Sequence, residues 1–217
     1  MEDFSIEALK KLTNDHRREA IRSPESKYIA QPSELTAGDF LKFAEDDLSA
    51  DYAHNLVNAL SNTKRAIDCR LDSLLLVFGL FPKSKKENWN FPQKVECLNK
   101  AGIISPRILN KINQKRNLLE HEYKKPNKEQ VEDALDVATL FVNYTDKFMH
   151  YGSGAICFLI GVRRRRQLLV KIAYEDSKIV ISKSKTSNLE RTEVEKEISA
   201  DSEEYLDYLK WVVGLRE

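Results

Sequence analysis

Eight consecutive residues, Arg116-Asn117-Leu118-Leu119-Glu120-His121-Glu122-Tyr123, put a guanidinium, an imidazole and a phenol close together in the chain. The guanidinium is always charged and can hold a phosphate through two parallel N–H groups. The imidazole titrates near neutral pH and can take a proton from a hydroxyl. Together they offer what phosphodiester cleavage without a metal requires. The densest charge run, Arg163-Arg164-Arg165-Arg166, is a second candidate. With Lys171, Lys178, Lys183 and Lys185 it makes residues 155–185 locally basic, whereas 189–207 are strongly acidic. A basic hairpin tip can grip an RNA backbone with little sequence preference. The competing reading is a solvated turn, or one neutralised by the acidic segment.

Little else in the chain suggests chemistry. His16, His54 and His150 have no companions at ligand spacing, so no metal site is expected. Cys69, Cys97 and Cys157 are widely spaced and form neither a disulfide framework nor a zinc pattern. There is no glycine-rich phosphate loop, no nucleophile elbow and no paired-carboxylate signature, and no cofactor is expected. Trp89 and Trp211 suit packing or an interface better than stacking on a base.

These residues must be positioned by a soluble, charge-rich fold. Of 217 residues, 41% are hydrophobic and 32% charged, enough for one core with or without a small satellite. A net charge of +1 excludes a globally basic nucleic-acid binder but not a local patch. The longest apolar stretch, 155–162, is too short to span a bilayer, and no membrane partner is expected. The start, Met1-Glu2-Asp3-Phe4, is acidic where a secretory signal would be basic, so residence in the cytoplasm is the expectation.

Periodicity gives the elements. Phe4, Ile6, Leu9 and Leu12 predict an amphipathic helix within residues 1–22, and the breaks at Pro24 and Pro32 make 23–35 a connector. Thr36 with Asp39 marks a helix start, and Leu41, Phe43, Ala44 and Leu48 give it an apolar face. A longer helix is predicted from about Asp51 to Gly79, with Gly79 and Pro82 as its stop and Asn62, Arg65, Asp68 and Asp72 on its polar face. Residues 83–90 are expected to be a polar loop, followed by a helix over 91–101. Ser105-Pro106 starts a helix that delivers the Arg116–Tyr123 run near its C-terminal end, before Lys124-Lys125-Pro126 breaks it. Asn127 with Gln130 predicts a capping box for a last long helix to about Phe148. Beyond Gly154 the pattern changes to short apolar or alternating runs, 155–162, 167–174 and 178–182, with 192–199 as a fourth candidate. Asp201 then introduces a final helix. The fold class is mainly α, an antiparallel helical bundle with a small C-terminal antiparallel β-meander plus helix. The domain reading is 1–35, 36–150 and 151–217.

Helix geometry constrains the reactive run. Residues five apart diverge by about 140° around the axis, so Arg116 and His121 do not share a face. Asn117 and His121 do, and Arg116 and Tyr123 nearly do. A site that uses both Arg116 and His121 needs a local unwinding at the helix end or a second copy of the chain. The plain structural reading gives Arg116 and Glu120 an i,i+4 surface ion pair, lets His121 complement a helix C-terminus and makes Tyr123 a core residue.

Arg116-Asn117-x-x-x-His121 resembles the signature of the HEPN superfamily, an arginine followed after four to six residues by histidine. With Tyr123 the run also resembles the Arg-x4-His-x-Tyr form of HepT-type toxins. The resemblance covers roughly residues 37–148, an antiparallel bundle with the motif late and a long helix after it. It implies that Arg116 and His121 are the catalytic pair of a metal-independent endoribonuclease, with Asn117 supporting the site. It implies a homodimer, an RNA substrate, and an inhibitory partner protein or a nucleotidyltransferase that modifies Tyr123. A toxin or antiviral defence role follows from the same resemblance. The chain departs from HepT-type proteins in its appendage after residue 150, its N-terminal helix, and the carboxylate of Glu120 beside the proposed site. Two other readings stay open: a non-catalytic HEPN adaptor, and an RNA-binding protein that acts through Arg163–Arg166.

Overall fold

Thr36 begins the ordered bundle because its hydroxyl accepts the Asp39 amide N–H at 3.1 Å while the Asp39 carboxylate accepts the Thr36 amide N–H at 2.8 Å. Two helix-end donors are thereby satisfied reciprocally. The computed structural model describes residues 3–16, 20–22, 32–104, 125–149, 155–160, 166–184 and 192–216. Helix α2 (Ala37–Ser49) buries Ala37, Leu41 and Ala44. Phe43, expected on that apolar face, is instead 40% exposed, because it lies about 200° around the axis from Leu41. Phe40 packs against the core in its place.

The long helix α3 (Asn55–Val77) is the central strut. Leu60, Ile67, Leu71, Leu74 and Leu75 are buried at the spacings read from the sequence. Gly79 ends the helical run at φ +67°. Pro82, expected to help stop the chain, opens a new helix, α4 (Phe81–Lys86), where a polar loop was expected. Proline in a first turn loses no hydrogen bond, since that N–H has no intrahelical partner. Helix α5 (Phe91–Lys100) follows, with a capping box between Asn90 and Gln93. Helix α6 (Lys128–Asp146) opens on the Asn127–Gln130 capping box expected from the sequence. It packs along α3 and α2.

The C-terminal part is an antiparallel meander: β2 (Ala155–Ile160), β3 (Arg166–Ala173), β4 (Lys178–Ser184) and β5 (Thr192–Ser199). A short strand near the N-terminus, β1 (Ala20–Arg22), pairs antiparallel with β2 and gives a five-stranded sheet in the order β1-β2-β3-β4-β5. Residues 20–22 were expected to continue the N-terminal helix, but α1 spans Ile6–His16 only. Strand pairing is a long-range partner that local periodicity cannot reveal. Ile160 lies opposite Arg166, Lys171 opposite Val180 and Ser184 opposite Thr192. The last helix, α7 (Tyr205–Arg216), buries Tyr205, Tyr208, Leu209, Trp211, Val212 and Val213.

Bundle and sheet share one core. Leu168, Val170, Ile172, Ile179, Ile181 and Ile198 from the sheet belong to the same buried cluster as Leu71, Leu74, Phe78 and Leu98 from the helices. The seam carries polar ties as well. Tyr205 donates its hydroxyl to the Phe78 carbonyl at 2.7 Å, and Lys83 Nζ donates to the Ala200 carbonyl at 3.1 Å. Tyr208 reaches the Phe4 carbonyl at 2.8 Å, which fastens the N-terminus beside α7.

Candidate functional site

The stretch that holds Arg116, Asn117, Glu120, His121 and Tyr123 lies outside the described residues, and the geometry on either side of it can be stated. Upstream, α5 ends in a turn at Gly102, with φ +76°, and Ile103 and Ile104 are buried in the main core. Downstream, Lys125 Nζ donates to the Ala53 carbonyl at 3.2 Å, and Pro126 is buried. Lys125 thus lies beside the α2–α3 turn, and the chain enters α6 at the capping Asn127. The first half of α6 meets α3 in a small cluster of its own, Ala59 and Leu60 against Val131 and Ala134. The second half exposes Leu140 (69%) and Tyr144 (55%), one helical turn apart. Lys147 Nζ sits over the Tyr144 ring, 4.4 Å from its centroid.

Arg163, Arg164 and Arg165 also lie outside the described residues. Arg166 is the first residue of β3, and β2 and β3 are adjacent antiparallel partners. The four arginines thus fall in sequence at the junction of two paired strands. The acidic neighbour segment is β5, whose Glu197 pairs with Lys178 at 2.9 Å and Glu195 with Lys183 at 3.5 Å. These are sheet-face ion pairs, and they tie down two of the lysines that made the region look basic.

The sequence did not single out a polar cleft of about 450 Å³ between α2 and α3, lined by Phe43, Asp46, Asp47, Asn58, Asn62 and Arg65 among others. Asp47 is its hub. One carboxylate oxygen accepts the Tyr52 hydroxyl, and the other accepts Asn62 Nδ2 at 2.8 Å. Asn58 Nδ2 donates to the Tyr52 oxygen at 3.1 Å, and Arg65 donates to Asn62 Oδ1 at 3.1 Å. The hydrogen bond to Asp47 pushes the Tyr52 phenol above its ordinary range, because ionisation would surrender that donor. Asn62 and Arg65 were legible as a polar helix face. Their connection through Asp47 to Tyr52 crosses two elements and leaves no spacing signal.

The described surroundings of Cys69 and Cys97 disfavour the thiolate. Burial pushes the Cys97 thiol up to about 11, and burial also raises Cys69. At neutral pH both are thiols, and only a thiolate attacks. His54 stacks edge-on with Tyr52 at 5.1 Å between ring centroids. Among the described residues no three His, Cys, Asp or Glu side chains gather where they could hold a metal ion. Among the same residues no helix is long and apolar enough to cross a membrane. A second cleft, of about 290 Å³, lies between α5 and the start of α7.

Comparison with protein-family models, with curated proteins and with solved structures finds no match to this chain.

Proposed function

We propose that the chain is a metal-independent endoribonuclease of the HEPN type, acting as a homodimer. The observation that carries this reading is Arg116-Asn117-x-x-x-His121-x-Tyr123 in the stretch between α5 and α6 of one helical bundle, closely followed by the capping Asn127. The order of bundle, reactive run and long final helix is the order the resemblance implies. Both flanks of the run are tied to the bundle, upstream by Ile103 and Ile104 and downstream by Pro126 and the Lys125–Ala53 bond.

The chemistry follows from the side chains. His121 takes the proton of a ribose 2′-hydroxyl, and the oxygen attacks the adjacent phosphorus. Arg116 neutralises the charge that develops on the phosphorane oxygens. The bond to the 5′-oxygen breaks, and that oxygen takes a proton from the histidine of the second copy. The products are a 2′,3′-cyclic phosphate and a 5′-hydroxyl. DNA is not cut because it lacks the attacking hydroxyl. The resemblance gives Asn117 the role of positioning His121 or a phosphate oxygen. Were the run helical, Arg116 and His121 would diverge around one axis, and a second copy would complete the site. The exposed Leu140 and Tyr144 on α6 suit a pairing surface. Arg163–Arg166 grips the RNA backbone with little sequence preference. An inhibitory partner, or a nucleotidyltransferase acting on Tyr123, holds the activity in check in the cytoplasm, in a toxin or antiviral defence role.

The test is RNA cleavage in the presence of EDTA. Wild type should cut RNA and leave DNA of the same sequence intact, while His121→Ala and Arg116→Ala each lose about 100-fold or more of the rate. Equal cleavage by wild type and both variants would reject the assignment. Absence of cleavage by a wild type that still dimerises would favour the non-catalytic adaptor.

A further inference from the structure

The cleft between α5 and the start of α7 sits where the bundle meets the appendage, a common place for small-molecule sites. Leu80, Trp89 and Leu206 give it apolar lining, together with the neutral Cys97 thiol. Its polar groups are mostly donors with capacity to spare. Lys83 Nζ uses one N–H on the Ala200 carbonyl at 3.1 Å. Gln93 Oε1 is occupied by the Asn90 amide N–H at 2.8 Å, so its NH₂ is what remains for a ligand. Two residues beyond Ala200, the Ser202 hydroxyl is buried with no hydrogen-bond partner, one of two such side-chain atoms among the described residues. A buried hydroxyl without a partner is costly, and Ser202 is one of the residues that line the cleft. The carboxylates there do not cancel these donors. Glu96 is neutralised by Lys100 at 2.8 Å on the same helix, and Glu203 is exposed to solvent.

We propose that this cleft binds a small aromatic carboxylate, with its ring against Trp89, Leu80 and Leu206 and its carboxylate on Lys83 Nζ and Ser202 Oγ. The volume of about 290 Å³ lies at the small end of ligand pockets and suits a single ring with a short acid chain. The carboxylate completes the free valences of Lys83 and supplies Ser202 with its missing acceptor. The bound molecule would touch α4, α5 and α7 together, so it would tie the appendage to the bundle. This site is separate from the ribonuclease reading and stands or falls without it.

The probe is 3-phenylpropionate, titrated into the full chain and followed through the indole N–H signals of Trp89 and Trp211 by NMR. The Trp89 signal should shift with a saturable dissociation constant of about 1 mM or tighter, while Trp211, buried in α7, stays in place. The matching amide, 3-phenylpropionamide, should bind about tenfold more weakly to the same wild-type protein, and Lys83→Gln should weaken the acid to a similar degree. Ser202→Ala should cost about threefold. The amide comparison needs no variant, so it holds even if Lys83→Gln disturbs the seam. Absence of saturable binding, equal binding of acid and amide, or shifts confined to Trp211 would overturn the proposal.

Discussion

Arg70 shows how much a single residue can decide inside the bundle. It lies on α3 with 4% of its surface exposed, and both terminal guanidinium nitrogens donate to one oxygen of Asp146 at 3.3 Å. Its Nε is buried with no partner. The pair is lopsided, because Asp146 is 54% exposed at the end of α6. Removing the carboxylate leaves a buried charge uncompensated, whereas replacing the arginine by an apolar residue of similar length removes the need for it. Asp146→Ala should therefore destabilise by about 2 kcal/mol, while Arg70→Met should stay within about 1 kcal/mol of wild type. Urea denaturation monitored by circular dichroism measures both. The reverse order would mean that the pair itself, and not the burial of one charge, holds α3 to α6.

Among the elements, the helix starts are unusually well specified. Three capping boxes open α2, α5 and α6, each with the N-cap and N3 side chains bonded reciprocally to backbone N–H groups. The first is pH-sensitive. Hydrogen bonds from the Thr36 backbone N–H and hydroxyl hold the Asp39 carboxyl below its ordinary value of 3.8. A group whose pKa is depressed on folding adds stability above its unfolded pKa, and that stability is lost as the pH falls through the folded value. Asp39→Asn should thus lower the melting temperature at pH 7, and the gap to wild type should close as the pH falls below the ordinary carboxyl value of 3.8. Thr36→Ala, which removes the cap itself, should cost about 1 kcal/mol at neutral pH. A gap for Asp39→Asn that stayed constant into acid would show that its carboxylate is not what stabilises α2.

At the scale of the whole molecule, the seam between bundle and sheet converges on Gly79. A Cβ there would lie 3.1 Å from the Ser177 Cα and 3.1 Å from the Tyr205 hydroxyl, on a backbone already at φ +67°. The Ala200 amide N–H donates to the Ser177 carbonyl at 2.8 Å, so the β3–β4 turn, the approach to α7 and the end of α3 meet at one point. Gly79→Ala should destabilise by about 2 kcal/mol or more, from left-handed strain plus the close contact with backbone. Tyr205→Phe, which only strips the hydrogen bond to Phe78, should cost about 1 kcal/mol. Because helices and strands share one buried cluster, thermal unfolding by far-UV circular dichroism and by tryptophan fluorescence should coincide for wild type and both variants. Separate transitions would mean that the sheet and α7 fold as an independent unit.

Local signals carried much of this fold. Helix starts were legible because a capping box is written within four residues, as at Thr36–Asp39 and Asn127–Gln130. The strands from β2 to β5 were legible because short apolar or alternating runs bounded by breaks need no distant partner to be seen. The Arg116–Tyr123 run stands out for the same reason, since three side-chain types able to react lie within eight consecutive residues. What the sequence could not show depends on contacts between distant segments. Strand β1 exists through its pairing with β2, more than a hundred residues away, and α4 formed where polar residues suggested a loop. Phe43 looked buried until the turn of α2 carried it outward. The Lys83–Ser202 cleft joins elements that are remote in sequence, and the Asp47 network crosses from one helix to the next, so no periodicity records either. Residue type and spacing determined which side chains are able to react and where helices begin. Tertiary structure alone decided which buried groups find partners, because hydrogen bonds and packing are satisfied in space and not along the chain.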